Sequence, residues 1–255
     1  MKKGLIVFSM CFMAAFSGWS WGSTGHRATG LVAEQYLNVR AKKKISVILQ
    51  QESVAMASTW MDEIYSDSTY DYARTWHYTT VPDGQRYSDV EANPDGKVVM
   101  MIEKFIQELK SGKLDAKQER EHLRMLIHLV GDIHQPLHVG RPGDRGGNEI
   151  KVKWFRNDSN LHRVWDSEMI DGTNLSYTEL AQSLIRPDKN VMQQWQTSSV
   201  RDWAQESMSY RPQVYAIGNG NLGYEYTYKY FSIARLRILQ AGIRLAGVLN
   251  DIYGR

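Results

Sequence analysis

Cysteine is almost absent from this sequence of 255 residues. The only one, Cys11, lies in an N-terminal segment that we expect to be removed. A mature chain without cysteine has no disulfide and no thiolate ligand, so a metal site in it must use histidine and carboxylate side chains. The absence does not identify a redox compartment, because many exported proteins lack cysteine.

A large net charge is also lacking. Lysine and arginine number 31 against 28 aspartates and glutamates, a balance of +3. Removal of residues 1–20 takes away two lysines and leaves 29 against 28, or +1. This balance argues against a strongly basic nucleic-acid-binding surface, so polyanion binding would have to be local, with metal ions supplying positive charge. The sequence also lacks a phosphate-binding G-x-x-x-x-G-K-[ST] motif and a dinucleotide fingerprint.

Long apolar runs are confined to the N-terminus. Residues 1–20 combine two lysines, the run GLIVFSMCFMAAF and small residues before position 21, as secretory signal peptides do. The run is too short to span a membrane comfortably, and no later segment is apolar enough. We therefore expect a signal peptide at 1–20, no membrane anchor, export to the periplasm or the extracellular space, and one domain over 21–255.

Apolar residues at helical spacing predict a mainly α domain with a minor β hairpin. The clearest helices are predicted over 98–109, 119–133 and 224–253, and the last of these is predicted to be core scaffold. Residues 149–155 alternate like one strand of a hairpin. Further helical segments are predicted over 27–50, 180–185 and 203–215.

Three histidines and an aspartate fall within HLVGDIHQPLH, residues 128–138. His128 and Asp132 are four residues apart, so a helix places both on one face. The proline of the motif ends or bends that helix, which allows His138 to point back toward the same region. We expect His134 to have a supporting, hydrogen-bonding role rather than to bind metal directly. Imidazole nitrogens and carboxylate oxygens suit zinc, so the motif indicates a metal site.

The same spacing recurs in LHRVWD, with His162 and Asp166 four residues apart. Asp62, on a predicted short helix in ASTWMDEI, is by itself equally well explained as a helix cap or a solvated side chain. His77, on a short extended run in TWHYTTVP, could equally be a half-buried histidine. A single zinc ion needs three or four protein ligands, so the surplus of candidates predicts more than one ion.

The mature N-terminus would add another ligand group. Cleavage after residue 20 would free the α-amino group of Trp21, which can chelate a metal together with its own carbonyl oxygen. Its pKa near ~8 allows the neutral amine to bind. His26 follows in WGSTGH, within reach of the same ion, although the two glycines of this motif could merely mark a flexible end.

In their order along the chain, these motifs resemble those of the zinc-dependent S1/P1 nuclease family, which shares its fold with bacterial zinc phospholipase C. The resemblance covers essentially all of 21–255 and rests on WGSTGH, ASTWMDEI, WHY, HLVGDIHQPLH, GGN and HRVWD. It implies a cluster of three zinc ions. By matched position, their ligands would be Asp62, His77, His128 and Asp132; His138, His162 and Asp166; and the amine and carbonyl of Trp21 with His26 and a bridging Asp132.

The resemblance also implies the reaction. Asp62 and Asp132, with a zinc-activated hydroxide, would cleave the P–O3′ bond of single-stranded DNA and RNA to leave 5′-phosphorylated products, and 3′-nucleotides would also be substrates. Tyr78 matches the position of the family's base-stacking aromatic residue, and Asn148 of GGN is a second expected substrate contact. Stacking on an aromatic ring requires an unpaired base, which agrees with a single-strand preference. We expect a monomer.

Two positions depart from the family pattern. Many members have an arginine three residues after the aspartate of ASTWMD, thought to contact phosphate, where this chain has Tyr65. Arg74 or Arg145 could compensate, or activity could be weaker. Fungal members have a base-reading acidic residue where this chain has Thr80, so the resemblance implies no base preference.

Two other functions compete with a nuclease. Phospholipase C enzymes share the histidine-rich turn but usually have glutamate as the last carboxylate ligand, whereas this chain has Asp166, as the nucleases do. A non-catalytic, zinc-binding exported protein is the second alternative, which the tyrosine at position 65 keeps open.

Overall fold

The computed structural model describes residues 21–92 and 94–255, so the predicted signal peptide at 1–20 lies outside the described residues. Helices dominate and the strands are short, which confirms the predicted mainly α class. No helix among the described residues is long and apolar enough to cross a membrane. The helices are α1 (Ser23–Tyr36), α2 (Val39–Ile48), α3 (Val54–Ala57), α4 (Trp60–Glu63), α5 (Tyr87–Val90), α6 (Val98–Ser111), α7 (Ala116–His134), α8 (Leu161–Arg163), α9 (Met169–Asp171), α10 (Tyr177–Gln182), α11 (Lys189–Thr197), α12 (Val200–Ser209), α13 (Arg211–Val214) and α14 (Tyr224–Tyr253).

Two small sheets accompany the helices. Their strands are β1 (Thr79–Thr80), β2 (Asp95–Gly96), β3 (Val139–Gly140), β4 (Lys151–Trp154), β5 (Asn157–Asn160) and β6 (Asn221–Leu222). In the first sheet, β1 is central, antiparallel to β2 and parallel to β3. In the second, β4 and β5 form the predicted hairpin, and β6 runs parallel to β4.

Helix α14 joins the two apolar clusters that form the core. Leu245 and Leu249 belong to one cluster, together with much of α6 and α7. Ile238 and Ile243 belong to the other, together with Trp21 and the segment around α8 and α9. The helix is therefore the core scaffold that its periodicity predicts.

Two predicted helices are each interrupted in the structure. The segment predicted over 27–50 is two helices, because the Asn38 side chain accepts a hydrogen bond from Ala41 N and starts α2 as a separate helix. The segment predicted over 203–215 begins earlier and breaks after Ser209, and Pro212 lies in the first turn of the next helix. Helix α11, capped by Asp188, was not predicted.

Candidate metal centre

Helix α7 presents His128 and Asp132 on its inward face, where both side chains are fully buried. Nε2 of His128 lies 3.1 Å from Oδ2 of Asp132, as the i,i+4 spacing predicts. The helix ends at His134 and a 3-10 turn follows, held by a 2.6 Å bond from Leu137 N to the Gln135 side chain. This turn brings His138 back, so that its Nδ1 lies 3.5 Å from Oδ1 of Asp132.

His77 and Asp62 meet the same pair. Nδ1 of His77, two residues before β1, lies 2.9 Å from Oδ2 of Asp132 and 3.1 Å from Nε2 of His128. Oδ1 of Asp62, on α4, lies 3.6 Å from Nε2 of His128. The structure therefore brings together all four residues expected to hold one ion. Asp62 is the most open of them, with 32% of its side chain exposed.

His162 and Asp166 lie on one continuous helical segment, in which the π turn Val164–Glu168 joins α8 to α9. Nε2 of His162 is 2.9 Å from Oδ2 of Asp166, and Nε2 of His138 is 3.6 Å from Oδ1 of the same carboxylate. These three residues form a second group whose ligand atoms could share one ion. π turns of this kind occur frequently at functional sites.

The N-terminal segment approaches the same centre from α1. The His26 ring stacks on that of His128 at 4.0 Å between centroids, and its Nε2 lies 3.4 Å from Oδ1 of Asp132. Trp21 is fully buried, and Gly22 N donates a 2.6 Å hydrogen bond to the carbonyl of Asp166. These contacts bring His26 to the cluster and Trp21 into its surroundings. Ligation by the amine and carbonyl of Trp21 stays a prediction.

Backbone carbonyls hold three of the histidine rings. In each ring Nδ1 lies within hydrogen-bond distance of a carbonyl, which indicates that Nδ1 carries the proton and that the Nε2 lone pair faces the cluster. Sequence reasoning missed these acceptors because no side chain marks them, although the GGN motif signals the third. The distances are 2.7 Å from His128 to Ser58, 2.8 Å from His138 to His77, and 2.7 Å from His162 to Gly146.

Several ligand atoms are buried without a hydrogen-bond partner among the described residues. Nε2 of His162 and Oδ2 of Asp166 are 2.9 Å apart but are not aligned as a regular hydrogen bond, an arrangement that suits two ligand atoms directed at a common cation. A buried unpaired polar atom costs about 1–3 kcal/mol, so a concentration of such atoms fits bound metal ions. The atoms are both ring nitrogens of His26, Oδ1 of Asp132, Nε2 of His138, Nε2 of His162 and Oδ2 of Asp166.

Charge in the cluster suits metal binding as well. Burial opposes ionisation of Asp132, but His128 and His138 outweigh it and hold the pKa of Asp132 well below its usual value. Burial lowers the pKa of His128, while Asp132 and Asp62 outweigh burial and raise it to about 9, so metal binding at this ring would release a proton. Burial and the nearby His128 lower the pKa of His26, which keeps that ring neutral near pH 7. Charged carboxylates and a neutral imidazole are the forms that bind metal.

Comparison with known proteins agrees with this geometry. The family model described as S1/P1 Nuclease matches residues 21–254. The chain belongs to the S1/P1 nuclease family. Endonuclease 4 of Arabidopsis thaliana is 32% identical over 91% of this chain and 89% of its own length. Endonuclease 2 of the same plant is 29% identical over 99% of both chains, and Nuclease P1 of Penicillium citrinum is 26% identical over 92% of this chain and 98% of its own.

A pocket of about 110 Å³ opens beside the metal centre of this S1/P1 family member. We call it the Tyr78 pocket; His162, Tyr78, Thr79, Asp95 and Arg145 are among the residues that line it. Burial and the carboxylate of Asp95 raise the pKa of Tyr78, whose ring is half-buried. The Thr79 hydroxyl is buried without a hydrogen-bond partner among the described residues. Sequence reasoning did not identify Thr79 or Asp95, because only the pairing of β1 with β2 brings them together.

The other residues predicted near the substrate have separate surroundings. The Asn148 side chain donates a 2.9 Å hydrogen bond to the carbonyl of Arg145 and does not line the Tyr78 pocket. The Arg74 guanidinium lies 4.7 Å from the centre of the Tyr65 ring and pairs with Asp71 at 2.8 Å. Of the two arginines that could compensate for the family arginine, Arg145 lines the pocket and Arg74 does not.

His134 points away from the metal centre. Its Nδ1 bonds the carbonyl of Val130 at 2.7 Å, and its Nε2 accepts from the Arg244 guanidinium at 2.9 Å. Arg237 donates a 3.0 Å hydrogen bond to the His134 carbonyl at the end of α7. Burial and the two arginines lower the pKa of His134 well below its usual value. Both ring nitrogens of His134 therefore have hydrogen-bond partners away from the His/Asp groups, as expected of a supporting role.

Proposed function

We propose that this chain is an exported, zinc-dependent phosphodiesterase. It would hydrolyse single-stranded DNA and RNA to 5′-phosphorylated products and also act on 3′-nucleotides. The observation that carries the proposal is the convergence of three His/Asp groups, with buried unpaired ligand atoms, beside a pocket that presents an aromatic ring. Membership of the S1/P1 nuclease family supports a hydrolase that acts on ester bonds of nucleic acids.

The metal requirement follows from the donor set. Imidazole and carboxylate ligands without thiolate favour zinc among the common metals. Zinc, when bound, would polarise a phosphoryl oxygen and lower the pKa of water toward ~7. Three ions would be held by the following ligands: Asp62, His77, His128 and Asp132; His138, His162 and Asp166; Trp21, His26 and Asp132.

The two catalytic carboxylates would act differently because their surroundings differ. Asp132 is fully buried and contacts His77 and His128 at 2.9 and 3.1 Å, so it orients both rings and does not exchange protons with solvent. Asp62 keeps 32% of its side chain exposed at the rim, where its oxygen can accept a proton from water as the phosphodiester is attacked.

The substrate would lie between the cluster and the Tyr78 pocket. An unpaired base would stack on the Tyr78 ring, which a base inside a duplex cannot reach. Arg145, with 60% of its side chain exposed, would pair with a phosphate and replace the arginine missing at Tyr65. Asn148 would act beside it, since its side chain already bonds the Arg145 carbonyl.

Export and the N-terminus belong to the same proposal. Removal of 1–20 would leave residues 21–255 as a single domain and expose the Trp21 amine where the chain enters the cluster. Gly22 is held there by its bond to Asp166, and a side chain at position 22 would meet Ser167 at 2.9 Å. These close contacts at Gly22 support a chain that begins at Trp21 rather than one that continues past it toward residues 1–20.

A comparison of substrates tests this proposal. Protein beginning at Trp21 and loaded with zinc is incubated with heat-denatured DNA, with duplex DNA and with vesicles of a choline phospholipid. We expect hydrolysis of denatured DNA well above that of the other two. Hydrolysis of the lipid instead would favour a phospholipase C, and zinc uptake with no hydrolysis of any phosphodiester would favour a non-catalytic zinc-binding protein.

A further inference from the structure

A second and larger cleft, of about 470 Å³, lies at the far ends of β1 and β3. We call it the arginine cleft. Residues after both strands and from α12 and α13 form it, and none of them belongs to the metal centre. Its principal lining residues are Asp83, Arg86, Arg141, Gln205, Arg211 and Tyr215.

Three arginines line this cleft, and two of them already pair with carboxylates. Arg211 is buried, bonds the carbonyls of Val81 and Val139 and pairs with Asp83 at 3.0 Å, so it fixes the strand ends. Arg141 lies over the Tyr215 ring at 3.7 Å and pairs with Asp83 at 3.5 Å and with Asp144 at 3.2 Å. Arg86 is the lining arginine that has no such pair among the described residues.

Two polar groups of the cleft are available for a ligand. Arg86 is exposed on the rim and forms no ion pair with another described residue. The side-chain oxygen of Gln205 is buried without a hydrogen-bond partner among the described residues. Reversing the amide would place its nitrogen there instead, so either orientation leaves a buried polar atom unpaired. The Arg86 guanidinium would donate to an anionic ligand, and the Gln205 amide would do so in the orientation that presents its nitrogen.

The cleft continues from the Tyr78 pocket along the same two strands. Strand β1 carries Thr80 of the pocket and leads to Asp83 of the cleft, while Gly140 of the pocket directly precedes Arg141. Thr80 and Asp83 are three residues apart along the chain, so they lie at most about 11 Å from each other.

We propose that the arginine cleft binds backbone phosphates of a single strand whose base occupies the Tyr78 pocket. The inference rests on the proposed nuclease function and adds a binding site for long substrates, away from the reacting phosphate. Arg86 would contact a phosphate directly. A dinucleotide would be too short to reach it, so the cleft would favour polynucleotides over the shortest substrates.

Arg86→Gln tests this site. Arg141 is less suitable for mutation because it also bonds Asp144, whose carboxylate accepts a hydrogen bond from Gly147 N next to the metal-ligand candidate His162. Arg40→Gln is the matched control, since Arg40 is exposed on α2 and lines neither pocket. The zinc-loaded proteins are assayed on a single-stranded 20-nucleotide DNA and on a dinucleotide over a range of salt concentrations. We expect Arg86→Gln to raise KM for the 20-nucleotide strand about threefold to tenfold and to reduce the slope of log KM against log salt by about 0.7.

The same variant should leave kcat and KM for the dinucleotide unchanged. Arg40→Gln should leave kcat and KM unchanged for both substrates. An unchanged KM and salt slope for the long strand would overturn the inference while leaving the nuclease intact. Equal losses on both substrates would also overturn it, because the residue would then act through the metal centre. If the unaltered protein cleaves neither substrate, the proposed function itself fails.

Discussion

At the scale of single residues, Asp132 is the side chain on which the centre depends. Its two oxygens lie 2.9–3.5 Å from His26, His77, His128 and His138. No other carboxylate among the described residues touches so many of the expected ligands. Among the described residues these imidazoles compensate its burial, and bound ions would add to that compensation.

Asp132→Asn keeps the shape of this side chain and removes its charge. We expect the variant to bind fewer than three zinc ions, to lose at least a hundredfold in activity and to unfold at a lower temperature, because metal binding is coupled to folding. Zinc content by mass spectrometry and a thermal melt measure both effects. Asp158→Asn, with 90% of its side chain exposed, is the control and should behave like the unaltered chain. Normal zinc stoichiometry in Asp132→Asn would contradict the bridging role.

Substitution of Tyr78 tests whether a substrate base stacks on its ring. Tyr78→Ala should raise KM for a single-stranded oligonucleotide about tenfold, because base stacking contributes about 1–3 kcal/mol per base. Tyr78→Phe keeps the ring and should retain the original KM. Zinc content should be unchanged in both variants. Equal KM values for alanine and phenylalanine would show that the ring does not hold the base.

At the scale of secondary-structure elements, the close approach of α1 and α7 places His26 in the cluster. Gly131 lies on α7 between Val130 and Asp132, and a Cβ at that position would lie 2.8 Å from Nδ1 of His26. Glycine here therefore serves packing rather than backbone flexibility. The His26 ring is held between Gly131 and His128.

Gly131→Ala should displace His26. We expect the loss of one zinc ion and a ten- to hundredfold loss of activity, with the other two ions retained. Gly247→Ala is the matched control on α14, because its added methyl would meet the flexible side chain of Gln196. That control should keep full activity. Three zinc ions in Gly131→Ala would contradict the packing argument.

Some of these elements could be predicted from the sequence and others could not, for physical reasons. Long amphipathic helices such as α7 and α14 were predicted because their apolar faces repeat over many residues. The break at Asn38 was missed because a cap competes with a continuing apolar pattern. The pairs His128/Asp132 and His162/Asp166 were predicted from spacing, and Asp62 and His77 from the family resemblance. The carbonyl of Ser58 and the arginine cleft arise only when distant loops come together.

At the scale of the whole molecule, the new N-terminus at Trp21 is expected to be part of the metal centre. An added alanine before Trp21, or retention of 1–20, should remove the amine ligand and lower both zinc content and activity. The zinc content and activity of both extended proteins are compared with those of a protein that starts at Trp21. Addition of a residue after Arg255, at the opposite terminus, is the control and should have no effect. Full activity and three zinc ions in the extended protein would contradict the ligand role of Trp21.

The most direct test of the central claim is digestion of heat-denatured DNA by the protein that starts at Trp21. The reaction is run with zinc, with a chelator, and with zinc restored, and the ends of the products are analysed. We expect 5′-phosphorylated products, loss of cleavage with the chelator and recovery with zinc. Unchanged cleavage in the chelator, or no cleavage by folded protein carrying three zinc ions, would contradict it.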